Sequence, residues 1–421
     1  MSKYIINGGK KLKGTIKVAG NKNAVLPIMA ASLLVDEMVT LENVPAIKDV
    51  VVMAHILEQM GATVERPSES ILRINTQNVN EYKVPTDLAK QLRASVLLLG
   101  PLFARFGKVE LSHPGGDIIG KRSIATHLDG LRLLGANIET KNDTYHITRK
   151  GKPTVEKIFL DEPSVTATEN IIMASILARG TTIRIENAAI EPHITDLITF
   201  LQSAGGFIEG IGTQTITIHP IDRLHAVTHA IGSDYVEAGT FAALAAATGS
   251  DIIIDGIVEQ DLKLPLLILS QLGVNYKIDG SKLHVLPTDL RTTGRKIQSG
   301  PHPLFPTDLM SPFIVLATQS AGETLLHDPM YESRMFFVDK LIRMGANITI
   351  CDPHRVLVYG KTPLHAQHLF SPDIRAGMAL VIAALCAKGE SIIENIEMVE
   401  RGYEKLPERL TPLGASILKH E

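Results

Sequence analysis

The sequence predicts an α/β protein built from six copies of one unit, with helices buried inside and strands packed outside them. Three observations carry this prediction. The stretch Leu57-Glu58-Gln59-Met60-Gly61-Ala62-Thr63-Val64 recurs as Leu131-Arg132-Leu133-Leu134-Gly135-Ala136-Asn137-Ile138, and its glycine returns at Gly205, Gly273, Gly345 and Gly414, in steps of 74, 70, 68, 72 and 69 residues. A β-type run after a Gly keeps the same beat, as in Gly107-Lys108-Val109-Glu110-Leu111 and Gly180-Thr181-Thr182-Ile183-Arg184-Ile185, and again from Gly249, Gly322 and Gly389; Met38-Val39-Thr40-Leu41 is a weaker first copy. An apolar, helix-forming segment precedes each run, over residues 24–34, 94–103, 167–177, 238–247, 309–318 and 376–387.

Each apolar segment lacks the polar stripe of a surface helix and so must be buried on all sides. Each ends at a glycine or a similar breaker, which closes the helix. A second helix follows and ends at the recurrent glycine, giving a β-α-β-α-β unit. Six such units account for the 421 residues. A chain of this length exceeds one ordinary core, so two domains are expected, with the boundary between units three and four near Gly232.

The 42 Lys and Arg against 45 Asp and Glu leave a net charge of −3, which excludes an overall basic field for nucleic acid or anionic lipid. A nucleic-acid clamp built on the six repeats therefore lacks its basic lining. The two cysteines, Cys351 and Cys386, cannot form a disulfide framework, and Cys386 within the run 376–387 reads as a buried free thiol in a reducing compartment. Residues 1–9 carry no signal-peptide pattern, and the apolar runs fall short of the ~20 residues that span a bilayer. The expectation is a soluble, cytoplasmic protein.

Polar residues gather ahead of the buried helices: Asn21-Lys22-Asn23, Gln91-Leu92-Arg93, Pro163-Ser164-Val165-Thr166, Ser233-Asp234-Tyr235, Pro306-Thr307-Asp308 and Pro372-Asp373-Ile374-Arg375. Ordinary N-capping accounts for the Ser, Thr, Asn and Asp residues. It does not account for Lys22, Arg93 and Arg375, because a cation at a helix N-terminus opposes the helix dipole. Helix N-termini joined by added Lys and Arg make an anion site. The loop Pro114-Gly115-Gly116-Asp117-Ile118-Ile119-Gly120-Lys121-Arg122 approaches a phosphate-binding loop, but Arg122 stands where the magnesium-binding hydroxyl belongs and Asp117 would put a carboxylate into the cradle. It reads instead as a functional loop with one acid and one cation. His113, His127 and His302 are scattered and read as hydrogen-bonding residues rather than ligands. The stretch Pro301-His302-Pro303-Leu304-Phe305-Pro306 is stiff and would hold Asp308 in place as a general base.

Taken together, Asn21-Lys22-Asn23-Ala24, Leu92-Arg93-Ala94-Ser95, Pro114-Gly115-Gly116, Gly120-Lys121-Arg122, Glu237-Ala238-Gly239-Thr240-Phe241, Pro301-His302-Pro303, Pro306-Thr307-Asp308, Asp373-Ile374-Arg375-Ala376 and Arg401-Gly402-Tyr403-Glu404 resemble the UDP-N-acetylglucosamine 1-carboxyvinyltransferase family of enolpyruvyl transferases. The resemblance spans the whole chain. It implies two inverse α/β barrels of three repeats each, residues 22–232 forming the first domain and 1–21 with 233–421 the second. It implies transfer of the enolpyruvyl group of phosphoenolpyruvate to the 3′-hydroxyl of UDP-N-acetylglucosamine, a step of peptidoglycan precursor synthesis, with release of phosphate and with no metal or other cofactor. By resemblance Lys22, Arg93, Arg122 and Arg401 surround phosphoenolpyruvate, and Asn23, Ser164, Val165 and Met330 are substrate-binding. Asp308 accepts the hydroxyl proton, while Arg334, Asp373 and Arg375 support the site from the second domain. Asp117 stands where most members carry the cysteine that fosfomycin alkylates. A carboxylate there can donate the same proton if enclosure raises its pKa, but it is a poor target for the epoxide.

Departures fall at the nucleotide end: Glu162 replaces a frequent Lys, Thr166 a frequent Gly, His193 a frequent Glu, Tyr235 a frequent Arg and Met398 a frequent His. A divergent relative with another acceptor, or a non-catalytic nucleotide-sugar-binding protein, remains open on this ground. Against the latter stands the retention of Lys22, Asp117, Arg122, Asp308 and Arg401 together, since a binding module needs no acid and base. The related 3-phosphoshikimate 1-carboxyvinyltransferases are disfavoured by Lys22-Asn23 and Pro301-His302-Pro303.

Overall fold

A computed structural model describes every residue except 1, 117–119, 121, 122, 154 and 179. The chain divides into two compact units, a first of residues 20–116 and 123–232 and a second of residues 2–19 and 233–421. Each has its own apolar core.

In the first unit the helices Lys22–Ala31, Leu99–Phe106 and Val165–Ser175 are lined by buried residues on nearly every side. In the second, all thirteen residues of Tyr235–Ala247 are buried, as are nearly all of Met310–Gln319 and Ile374–Cys386. These second-unit helices pack on one another in sequence order. Three sheets surround the helices of each unit, among the described residues. Each unit is thus an inverse α/β barrel, with helices inside and strands outside.

Where a proline falls early in a helix, the preceding turn tightens. Pro101, Pro265 and Pro312 each stand third in their helix, after the 3₁₀ turns Arg93–Leu98, Glu259–Leu262 and Thr307–Leu309. A proline there forfeits no intrahelical bond, because the first four N–H groups of a helix have no partner within it. The second apolar segment is therefore a 3₁₀ turn followed by a short helix rather than one helix over 94–103.

The sheets share one pattern. In the first unit Val227–Ala230 runs parallel to Met38–Glu42, which pairs antiparallel with Ile71–Asn75, and that strand pairs antiparallel with Thr63–Ser68. Lys157–Phe159, Ile183–Glu186, Thr215–His219 and Phe207–Glu209 repeat the arrangement. The sheet Lys108–Ser112, Thr144–Arg149, Ala136–Lys141 has three strands, and a single parallel bridge from Lys83 to Glu110 stands at the place of the fourth. The second unit closes in a permuted way. Lys3–Asn7 lies between Glu390–Glu394 and Ser416–His420, antiparallel to both, and Lys13–Lys17 runs parallel to Asp251–Asp255.

The six recurrent glycines follow the second helix of each unit with φ between +85° and +104°. This left-handed conformation ends the helix and turns the chain into the next strand, and a side chain there would be strained. Gly100 answers a different need. A Cβ there would lie 2.4 Å from the Asn170 carbonyl oxygen, while Asn170 Oδ1 accepts from Gly100 N at 2.6 Å and its Nδ2 donates to Val96 O and Thr166 O. Two helix backbones thus meet through one amide side chain.

Beside Asn170, Glu169 is fully buried, and its Oε1 finds no hydrogen-bond partner among the described residues. Burial, then the neighbouring Glu191 carboxylate, pushes its pKa well above the usual carboxylate range. The folded protein therefore binds a proton that the unfolded chain releases as pH rises past about 4.5, so Glu169 costs stability above that pH. Glu169→Gln is expected to flatten the decline in unfolding free energy between pH 5 and 8, measured by urea denaturation; an unchanged pH slope would show Glu169 ionised in the fold.

Cys386 is the last residue of its helix and is part-exposed rather than fully buried, although it packs against the apolar core. Surrounding protein still pushes its thiol pKa up to about 12. Among the described residues, no helix is long and apolar enough to cross a membrane.

Candidate functional site

In the first unit Lys22 opens its helix, and Asn21 caps that helix by accepting from Asn23 N at 2.8 Å. The capping and the misplaced cation coexist because Lys22 Nζ lies 3.1 Å from Asp49 Oδ2, with both side chains mostly buried. Asp49 sits in the first turn of helix Lys48–Gln59, where the dipole favours a negative charge, and the same carboxylate offsets Lys22. Breaking a buried pair strands the partner charge, so Asp49→Ala is expected to cost about 3 kcal/mol in urea denaturation. A loss under about 0.5 kcal/mol, the size of an exposed pair, would contradict this placement.

Arg93 begins the 3₁₀ turn Arg93–Leu98 and is half-buried. Pro114-Gly115-Gly116 runs along the segment that carries it. A Cβ on Gly115 would lie 1.6 Å from Lys90 O and one on Gly116 2.6 Å from Arg93 Cβ, so the close approach needs both glycines. Asp117 and Arg122, the acid and cation of this loop, lie outside the described residues.

His127 is buried, and burial, then the Arg93 guanidinium, pushes its pKa down to about 3, so the ring is neutral. Its Nε2 lies 2.8 Å from Thr166 Oγ1, which gives that departure a partner in this chain. Ser164 holds the N-cap position of helix Val165–Ser175 but makes no side-chain cap bond, and its carbonyl accepts from Thr168 instead. Ser164 and Val165 are half-buried. Glu162 is exposed and His193 is buried.

The second unit brings Arg334 and Arg375 onto Asp308. Asp308 Oδ1 accepts from Arg334 Nη2 at 3.1 Å, and Oδ2 accepts from Arg375 Nε at 3.0 Å, with Arg375 Nη2 at 2.8 Å. Burial alone would lower both arginine pKa values, but Asp308 and the other acids nearby outweigh it and hold them above the ordinary value, Arg375 far above. The two guanidiniums are almost wholly buried, whereas the Asp308 side chain keeps 28% of its surface exposed. The carboxylate is therefore the accessible face of a rigid charged cluster.

Asp373 caps helix Ile374–Cys386 by accepting from Arg375 N and Ala376 N, both at 2.9 Å. One residue thus satisfies the dipole and sets the start of the turn that carries Arg375. Arg375 also lies over the Tyr403 ring at 5.3 Å, and Tyr403 Oη is 3.0 Å from Thr240 Oγ1. Arg401 ends the 3₁₀ turn Val399–Arg401, just before Gly402, where a Cβ would lie 2.5 Å from Ile374 Cγ2. Met330 is exposed and its backbone N donates to Asp328 Oδ1 at 2.9 Å. Tyr235 is buried beside its capping residue Asp234, which accepts from Val236 N and Glu237 N. Glu237 in turn pairs with Arg409 and accepts from Ala19 N, so the motif around it is structural.

Sequence reasoning missed Asp49 and Asp328. A signal for Asp49 existed, since a cation held against a helix dipole implies a buried acid nearby. Asp328 had none, being a lone acid between His327 and Pro329.

Comparison with known proteins bears on what these residues serve. The family model for EPSP synthase (3-phosphoshikimate 1-carboxyvinyltransferase) matches residues 6–410. Among curated relatives, the UDP-N-acetylglucosamine 1-carboxyvinyltransferase of Treponema denticola is 47% identical over 99% of both chains. The protein of the same name from Borreliella burgdorferi is 46% identical over 100% of this chain and 99% of its own. Among solved structures, the enolpyruvyl transferase NikO from Streptomyces tendae superposes with a TM-score of 0.90 at 23% identity, covering 99% of this chain and 98% of that one. EPSP synthase from Acinetobacter baumannii gives 0.76 at 20%, covering both chains fully. The distant structures show the shared fold, and the relatives above 40% identity place the chain within it: it belongs to the UDP-N-acetylglucosamine 1-carboxyvinyltransferase family of enolpyruvyl transferases.

Proposed function

We propose that this enzyme transfers the enolpyruvyl group of phosphoenolpyruvate to the 3′-hydroxyl of UDP-N-acetylglucosamine. The observation that carries the reading is likeness at 46–47% over the full chain to relatives of that name. The charged clusters around Lys22 and Asp308 supply matching chemistry. Phosphoenolpyruvate carries a phosphate and a carboxylate, which guanidinium and ammonium groups recognise. Lys22, Arg93, Arg122 and Arg401 take that part. Asn23, Ser164, Val165 and Met330 bind the nucleotide sugar.

In the addition step the 3′-oxygen bonds to C2 as its proton passes to Asp308, and C3 gains a proton from Asp117. In the elimination step C3 loses a proton, the double bond re-forms and the C2–oxygen bond to phosphate breaks. Arg334 and Arg375 hold the Asp308 carboxylate aimed. Both proposed substrates are small charged metabolites, which supports a cytoplasmic enzyme.

Phosphate release from phosphoenolpyruvate by the purified protein tests the reading, with UDP-N-acetylglucosamine and shikimate 3-phosphate as competing acceptors. Release dependent on the nucleotide sugar is the expected result. Release with shikimate 3-phosphate alone, or with neither acceptor, overturns it.

A further inference from the structure

We infer that Asp328 is a positioning residue for the transfer reaction, holding Asp308, Arg334 and Met330 in register from beneath the surface. The inference rests on the reaction proposed above. Asp328 follows strand Gly322–His327 and is completely buried. Its backbone is fixed on both sides by one residue: Asp328 N donates to His354 O at 2.8 Å, and Asp328 O lies 2.7 Å from His354 Nδ1.

Three groups converge on its carboxylate. Thr307 Oγ1 donates to Oδ2 at 2.5 Å, Met330 N donates to Oδ1 at 2.9 Å, and Arg334 Nε lies 3.9 Å from Oδ2. Each is coupled to a candidate site residue or is one itself. Thr307 shares the turn Thr307–Leu309 with Asp308, Arg334 donates directly to Asp308, and Met330 is a candidate contact of the nucleotide sugar. Two routes therefore run from Asp328 to Asp308, one through a neighbouring hydroxyl and one through a shared guanidinium. A buried carboxylate is costly unless its lone pairs are satisfied, and here they are satisfied by groups of the candidate site rather than by core backbone. Misplacing a reacting group by about an ångström costs on the order of 10²-fold in rate, which is the scale on which such anchoring acts.

The two routes separate in kinetics. Thr307→Val removes the hydroxyl route and leaves the Met330 tether, so kcat is expected to fall about 10- to 100-fold while KM for both substrates stays near that of the parent enzyme. Thr307→Ser restores the donor and is expected to restore most of kcat. Asp328→Asn is expected to lower kcat and also to raise KM for UDP-N-acetylglucosamine, because it loosens Met330 as well. Circular dichroism and thermal unfolding confirm that each variant is folded at the assay temperature. Parent-like kcat in Thr307→Val, or a Thr307→Ser enzyme as impaired as Thr307→Val, overturns the inference while the proposed reaction stands. Absence of turnover in the parent enzyme overturns both.

Discussion

Asp308→Asn is expected to lower kcat by about 10³-fold while UDP-N-acetylglucosamine still binds, as read by steady-state phosphate release and by calorimetric titration of the nucleotide sugar. The magnitude is that of a general base removed from a proton transfer. The structure also dictates the substitution. Arg334 and Arg375 are 2% and 4% exposed and both bond to this carboxylate. Asp308→Ala would leave two buried guanidiniums facing a void and confound lost chemistry with lost stability. Asparagine keeps the volume and one acceptor oxygen. A kcat within about tenfold of the parent value would remove Asp308 as the base, since base catalysis contributes at least 10²-fold.

Fosfomycin is expected to leave the enzyme uninhibited after prolonged incubation, whereas Asp117→Cys should be inactivated progressively and completely while retaining turnover. The contrast follows from nucleophilicity. A thiolate opens an epoxide readily, and a carboxyl group in its place does so poorly. Residual activity followed against time of preincubation measures it. Rapid inactivation of the parent protein would assign the reactive group to another residue and overturn the reading of the Asp117 loop.

The sixfold period was legible because it rests on local rules: an all-apolar helix, a glycine forced to positive φ, a short β run. Strand pairing was not, because Lys3–Asn7 and its neighbours Glu390–Glu394 and Ser416–His420 are hundreds of residues apart and no local pattern records their pairing. The cations Lys22, Arg93 and Arg375 stood out as conflicts with the helix dipole, and two of the three conflicts are resolved by a specific acid, Asp49 for Lys22 and Asp308 for Arg375. The proline-rich approach suggested that Asp308 is held by its own backbone, yet side-chain bonds from Arg334 in a turn and Arg375 in a distant helix hold it as well. Residues that fix other residues, such as Asp49 and Asp328, carry no motif, because any acid reaching the same point would serve.

The strand Lys3–Asn7 also sets a timetable. The first unit, residues 20–232, is nearly continuous in sequence and has all its strands once residue 232 leaves the ribosome. The second cannot finish the sheet that holds Lys3–Asn7 until residues 390–394 and 416–420 appear, so the earliest-made strand is the last to find its partners. Closing so long a loop adds little to the equilibrium cost, since each doubling of length adds only about 0.6 kcal/mol, but it delays folding. Through most of synthesis Lys3–Asn7, with its apolar run Tyr4-Ile5-Ile6, is an unpaired strand, open to chaperones and to its own copies on other chains. The first strand to be made thus waits longest for its place, a delay written into the topology and not into the stability of the finished fold.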